Sequence, residues 1–210
     1  MISRDPKRCG ALALLLLVPI IVMSCSIRSV QIKRAEKHYQ RGQYLASRGE
    51  VDRAVVHFEK SMNMSRAAGF SEGVAHNLNE LAIIYTGKGE YKKARECIDE
   101  AVTIYRRLNM QPEISKSLNN MALTYAKEGR YREAIEHFRK LIAWDTKTGN
   151  RLGVGITLYN MALIYHRHMG NEEKALQCLS NAVEIFRETG NEKYIEMIKK
   201  EQSRTRVLKK

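Results

Sequence analysis

The chain repeats itself with a period of 40 residues, and that period limits its fold more than any other feature. The segments "LNELAIIYTGKGEYKKARECIDEAVTIYRRLN", "LNNMALTYAKEGRYREAIEHFRKLIAWDTKTGN" and "LYNMALIYHRHMGNEEKALQCLSNAVEIFRETGN" align column by column. Ala82 returns as Ala122 and Ala162, and Tyr85 as Tyr125 and Tyr165. Ala94 returns as Ala134 and, after one inserted residue near Met169, as Ala175. A more worn copy, "YQRGQYLASRGEVDRAVVHFEKSM", places Gly42, Leu45, Gly49, Ala54 and Phe58 in the same columns. A unit of this length cannot bury its apolar face alone, so neighbouring copies must stack.

Each copy reads as two helices. In the first, Leu81, Ala82 and Tyr85 recur at helical spacing, and the Lys88-Gly89 or Glu128-Gly129 step ends it with a permissive backbone. In the second, Ala94, Ile98, Ala101 and Val102 form an apolar stripe. Small residues in the Ala82 and Ala94 columns let paired helices approach, and larger ones in the Tyr85 and Phe58 columns fill the space between pairs. Breaks are expected at Gly69, at Pro112 and at the Thr-Gly-Asn turns 148–150 and 189–191. Tyr194, Ile195 and Ile198 share one face of a last helix that covers the final repeat, and residues 26–35 read as a short tether.

The order of small, aromatic, glycine, small and aromatic columns resembles the tetratricopeptide repeat (TPR), whose usual unit is about 34 residues. The resemblance spans residues about 36–193, with copies at about 36–73, 74–113, 114–153 and 154–193 and a basic capping helix at 194–210. The longer unit is similar to the subgroup of the Leu-Gly-Asn-type adaptor, kinesin light chain and bacterial peptide-binding regulators. It implies an all-α, right-handed solenoid of stacked helix-turn-helix pairs with a C-terminal cap. It also implies a non-catalytic module that takes a protein or peptide partner in its concave groove.

By the family's register, the groove positions fall on the first helix of each pair. They are Glu36, Tyr39, Gln40 and Gln43, then His76, Asn79, Glu80 and Ile83, then Lys116, Asn119, Asn120 and Leu123, and finally Tyr159, Asn160 and Leu163. An Asn amide presents one donor group and one acceptor, which suits the backbone of an extended peptide. The same Asn residues equally suit packing between neighbouring helices. Of the family's carboxylate-clamp pattern only Lys116, Asn120 and Asn160 qualify, while Glu80 and Ile156 depart from it.

The N-terminus carries a different message. Arg4, Lys7 and Arg8 precede an apolar run from Ala11 to Met23 that holds Pro19. Thirteen residues fall short of the roughly twenty that a bilayer-spanning helix needs. A basic head, a short apolar run and a small-residue exit describe a secretory signal. The exit, Val22-Met23-Ser24-Cys25, resembles the bacterial lipobox. That resemblance implies a lipoprotein signal peptide at 1–24, a lipidated Cys25, and a tether at 25–35. The expected location is the bacterial cell envelope, at the outer membrane facing the periplasm. The alternative is a soluble TPR adaptor.

The formal charge is +13, and removal of residues 1–24, with three positive charges and one negative, leaves about +11. The basic pairs Lys92-Lys93, Arg106-Arg107, Lys199-Lys200 and Lys209-Lys210 are scattered and form no nucleic-acid motif. Attraction to anionic headgroups near the anchor is the economical functional reading, and a solvated surface is the plainer one. No specific nucleic acid and no small-molecule substrate is expected.

Reactive chemistry is expected to be absent, with no cofactor and no metal. The column His57, Cys97, His137, Cys178 tempts as a ligand row, yet zinc ligands sit about 2.0–2.3 Å from one ion. Successive copies of a column lie at least one helix-packing distance of about 8–10 Å apart. His166 and His168 are two apart and point to different faces of a helix. The acid pair Glu172-Glu173 reads as a helix start, Trp144 as packing, and no phosphate loop, HExxH or nucleophile elbow occurs.

Overall fold

The computed structural model describes the backbone of residues 6–208 and the side chains of residues 27–200. The expected signal peptide and the Cys25 side chain lie outside the described side chains. The chain is an all-α repeat solenoid. In order it forms α1 (Pro6–Ser47), α2 (Val51–Ala67), α3 (Ser71–Gly87), α4 (Tyr91–Arg107), α5 (Gln111–Lys127), α6 (Tyr131–Thr148), α7 (Arg151–Arg167), α8 (Glu172–Glu188) and α9 (Glu192–Leu208). By contacts it divides between Asn77 and Leu78, inside α3, into two compact units.

Tight turns set the helix pairs. After α5, Gly129 takes φ 84°, and the Arg130 and Gly129 amides donate to the carbonyls of Tyr125 and Ala126 at 2.9 and 3.1 Å. These bonds satisfy carbonyls that the helix end leaves open, and the left-handed conformation costs glycine nothing. At the α4–α5 turn the same conformation falls to Asn109, with φ 55°, the single non-glycine with positive φ among the described residues. The break expected at Pro112 therefore lies earlier. Pro112 sits in the first turn of α5, where a missing N–H costs no hydrogen bond.

In the first unit Ala35, Leu45, Ala54 and Phe58 are buried between α1 and α2. Gly42 stands where later copies carry Ala, because a Cβ there would lie 2.8 Å from the Phe58 ring. Residues 27–35, within the expected tether, are helical and continue α1. Packing explains the difference, since Ala35 is buried and the Arg28 guanidinium donates to the Gly69 carbonyl at 3.3 Å.

In the second unit Ala82, Ala122, Ala134, Ala162 and Ala175 occupy the close-approach columns and are all at most 2% exposed. Ile98 and Phe138, equivalent in register, are fully buried and fill the layers between pairs. The chain of packed helices ends at α9, where Ile198 joins Ala182 and Phe186, and Tyr194 stacks on Phe186 at 4.6 Å. Among the described residues no helix is long and apolar enough to cross a membrane.

Candidate partner-binding face

The first helices of the second unit are tied by side-chain hydrogen bonds at regular sequence intervals. Asn79 Nδ2 donates to Ser117 Oγ at 2.8 Å, and the Thr86 and Thr124 hydroxyls meet at 2.8 Å, joining α3 to α5. Asn160 Nδ2 donates to Asn119 Oδ1 at 3.0 Å, joining α7 to α5. The register thus brings Asn79, Asn119 and Asn160 onto one set of adjoining helices. Asn79 is buried and belongs mostly to helix packing. Ile83 and Lys116 are exposed, while Glu80, Asn119, Asn120, Leu123, Tyr159, Asn160 and Leu163 are half-buried.

Two amide atoms on this face are buried without a partner among the described residues: Asn79 Oδ1, an acceptor, and Asn120 Nδ2, a donor. Burial of an unmade hydrogen bond costs roughly 1–3 kcal/mol, so each atom calls for a hydrogen-bond partner, for which an ordered water is sufficient.

In the first unit Tyr39, Gln43 and His76 come together. Gln43 Nε2 donates to the Tyr39 hydroxyl at 3.1 Å, and the Tyr39 and His76 rings lie 6.3 Å apart. Glu36 and Gln40 are exposed on the same helix. Beside Tyr39 opens a cleft of about 260 Å³, lined by Ile32, Glu36, Phe70, His76 and Asn77 among others. Asn77 gives its Nδ2 to Ser61 Oγ and the Gly73 carbonyl, and leaves its Oδ1 buried and unpaired.

The second unit holds a cleft of about 210 Å³, lined by Pro112, Ser115, Lys116, Asn119, Gly153 and Thr157 among others. Its positions are those of the first cleft shifted by 80 residues: Ile32 becomes Pro112, Glu36 becomes Lys116, Tyr39 becomes Asn119, and Asn77 becomes Thr157. The same place in the repeat therefore carries an acid and an aromatic in one unit, and a base and an amide in the other.

Beneath the second cleft lies Asp145, which is fully buried. Its carboxylate accepts from Ser115 Oγ and Asn150 Nδ2, both at 3.0 Å. Burial pushes its pKa up, and these two hydrogen bonds partly offset the rise. Asn150 also caps α7 by accepting from the Gly153 amide at 3.1 Å. Sequence reasoning passed over this cluster and over the buried column Asn77, Ser117, Thr157. The signal was available for the column, since a polar residue recurs there at the repeat period.

The tempting reactive groups are engaged in packing. His137 stacks on Tyr125 at 4.6 Å, and burial pushes its pKa down. His168 stacks on Tyr131 at 4.3 Å, whereas His166 contacts Glu172 at 2.7 Å, so the two do point apart. Cys97 and Cys178 are free thiols, and burial pushes the Cys178 pKa up, away from a reactive thiolate. Among the described residues no group of three or more His, Cys, Asp or Glu is placed to hold a metal.

The family model of the tetratricopeptide repeat matches residues 33–107 and again 113–188. The chain belongs to the tetratricopeptide-repeat family. Solved structures share the fold of this TPR chain. Aspartyl phosphate phosphatase F from Bacillus subtilis matches with a TM-score of 0.72 and 14% identity, over 80% of this chain and 44% of that one. A Rap protein complexed with competence and sporulation factor matches with 0.62 and 15%, over 74% and 43%. Nearly identical TPR-like repeats from Podosopora anserina match with 0.61 and 20%, over 81% and 86%. At these identities the likeness is one of fold, and this TPR chain spans less than half the length of the first two. No curated protein matches it in sequence.

Proposed function

We propose that this TPR protein is a non-catalytic interaction scaffold that grips an extended partner segment along its first helices while lipid on Cys25 holds it at a bacterial envelope. The observation that carries the grip is the set of half-buried amide side chains, Asn119, Asn120 and Asn160, on the adjoining helices α5 and α7. An amide offers both an acceptor and a donor, which is what the N–H and C=O groups of an extended backbone require. Tyr39 and Tyr159 add apolar area with a polar tip, a side chain suited to anchoring an interface. The complex of a Rap protein with competence and sporulation factor supports partner binding by this fold.

The anchor is supported by the sequence order of basic head, apolar run and Val22-Met23-Ser24-Cys25. Several acyl chains, each contributing about 0.8 kcal/mol per buried methylene, hold where a single chain would exchange. The outer membrane, facing the periplasm, is the location this reading assigns. The soluble-adaptor alternative uses the same groove and differs only at Cys25.

Two substitutions test the two parts. Cys25→Ala should abolish labelling by an alkyne fatty acid and release the protein from membranes, and unchanged labelling overturns the anchor. Asn120→Ala combined with Asn160→Ala should weaken partner capture while stability falls by no more than the about 0.5–1.5 kcal/mol of the single Asn160–Asn119 bond. A large loss of stability would instead assign these amides to packing.

A further inference from the structure

The first unit carries a second surface, on the α1–α2 side away from Tyr39, whose chemistry the groove does not use. On α1, Ile27 and Val30 are followed by Arg34, Lys37, Arg41 and Tyr44, at steps of three and four that keep them on one side of the helix, and Arg48 follows in the turn just beyond it. On α2, Arg53, Val56 and Lys60 follow the same spacing. The stripes adjoin where His38 Nδ1 meets His57 Nδ1 at 3.0 Å. After burial itself, His38, Lys60, Arg41 and Arg53 push the His57 pKa down, so these charges crowd one place.

The composition of this face is unusual for a merely solvated one. Ile27, Val30, Tyr44 and Val56 are 54, 45, 50 and 47% exposed, interleaved with the cations. Arg41 and Arg48 both lie over the Tyr44 ring, at 5.0 and 5.9 Å. Glu50 pairs with Arg48 and Arg53, and Asp52 and Glu59 fall off the stripe. Among the described residues Arg34, Lys37, Arg41 and Lys60 have no ion-pair partner.

Exposed aliphatic side chains and a tyrosine among Lys and Arg are what an interfacial helix presents to headgroups. The order along α1 agrees, with the apolar pair nearest Cys25 and the cations beyond. At about 1.5 Å rise per residue, Arg41 lies about 24 Å along the helix from Cys25. An upright helix would lift it well beyond the screening length of about 8 Å. Only a helix lying along the bilayer brings the whole stripe within reach of surface charge.

We propose that this α1–α2 face lies against anionic lipid headgroups, so that both helices run along the bilayer surface beside the anchor. The proposal rests on the anchored reading for proximity to the membrane, and on the stripe for the contact itself.

The test uses the full lipidated chain mixed with vesicles of pure phosphatidylcholine, or of phosphatidylcholine with one third phosphatidylglycerol. Lysine acylation is then read by mass spectrometry. Lys37 and Lys60 should lose at least threefold in reactivity on the anionic vesicles, recover in 0.5 M salt, and show no change on the neutral ones. Lys140, on α6, should not respond. Arg34→Gln combined with Arg41→Gln should lower the protection without altering the circular dichroism of the helices. Equal reactivity of Lys37 and Lys60 on the two vesicle types overturns the proposal. Flotation with neutral vesicles reports the anchor separately. A chain that fails to float there loses the anchored reading, while protection on anionic vesicles still supports the face.

Discussion

Asn160 Nδ2 donates to Asn119 Oδ1 across 3.0 Å and so ties α7 to α5 on the face where the partner is proposed to lie. Both residues are half-buried, so this bond is partly a packing bond and partly an available polar surface. A net intramolecular hydrogen bond contributes about 0.5–1.5 kcal/mol. Asn119→Ala should therefore cost about that much in chemical denaturation, without changing the helical signal. A loss several times larger would show that the bond is part of the core rather than of a binding face.

Phe138 is fully buried between Ala122, Ala134 and Tyr165 in the second unit. Removing its ring leaves a cavity that packed helices fill only in part, at about 3–5 kcal/mol for a buried Phe→Ala change. Phe138→Ala should lower the denaturation midpoint by that measure, whereas Arg139→Ala, one residue on and exposed, should change it by less than about 0.5 kcal/mol.

Gly42 is set against the Phe58 ring, where a Cβ would approach to 2.8 Å. Alanine is the better helix former by about 1 kcal/mol, but overpacking of a core costs about 1–3 kcal/mol. Gly42→Ala should therefore destabilise the protein, and Phe58→Leu in the same chain should recover part of the loss. Thermal melts of the two variants and the double variant decide it.

Asp145 makes stability depend on pH in a direction opposite to that of most carboxylates. Its folded pKa is raised by burial, so the protonated form is favoured in the fold. The stability it contributes is complete below the ordinary carboxylate value and is lost as pH rises through the raised one. Asp145→Asn keeps the shape and removes this titration. Its melting temperature relative to wild type should rise from pH 4 to pH 7, and a constant difference would contradict the assignment.

His57 acts in the opposite direction. Its folded pKa is lowered first by burial and then by the charges of His38, Lys60, Arg41 and Arg53. Stability from the neutral ring is present above the unfolded value of about 6.5 and is lost as pH falls through the lowered one. His57→Gln should flatten the melting-temperature profile between pH 7 and pH 5, measured by calorimetry.

Much of the architecture was legible because the repeat writes each packing role several times. The Ala82 and Ala94 columns are buried wherever they recur, and the Phe58 column in every copy but the last, where Leu179 is half-buried; that places the helix pairs. What the sequence hid was set by single contacts. The helical continuation through residues 27–35 is marked by Ala35, first of a buried small column that runs on through Ala75, Ser115 and Gly155, and by the bond from Arg28 to Gly69, a single contact that no repeat announces. Asn109 takes the turn conformation that other copies give to glycine, so Pro112, a strong local break signal, drew the boundary too late. Asp145 sits in a column that holds Ser65 and Tyr105 in earlier copies, and only its contacts with Ser115 and Asn150 explain a carboxylate there. On the binding face the register located Asn79, Asn119, Asn120 and Asn160, but not the division of labour between packing and open polar atoms.

Photo-crosslinking in cells addresses the central proposal most directly. A benzoylphenylalanine placed at the exposed Ile83 or Lys116 faces the proposed groove, and one at the exposed Lys140 on α6 does not. Ile83 and Lys116 should each yield a discrete adduct with the same partner in the membrane fraction, with none from Lys140. No adduct at the first two positions, or an equal one from Lys140, would contradict partner binding along the first helices.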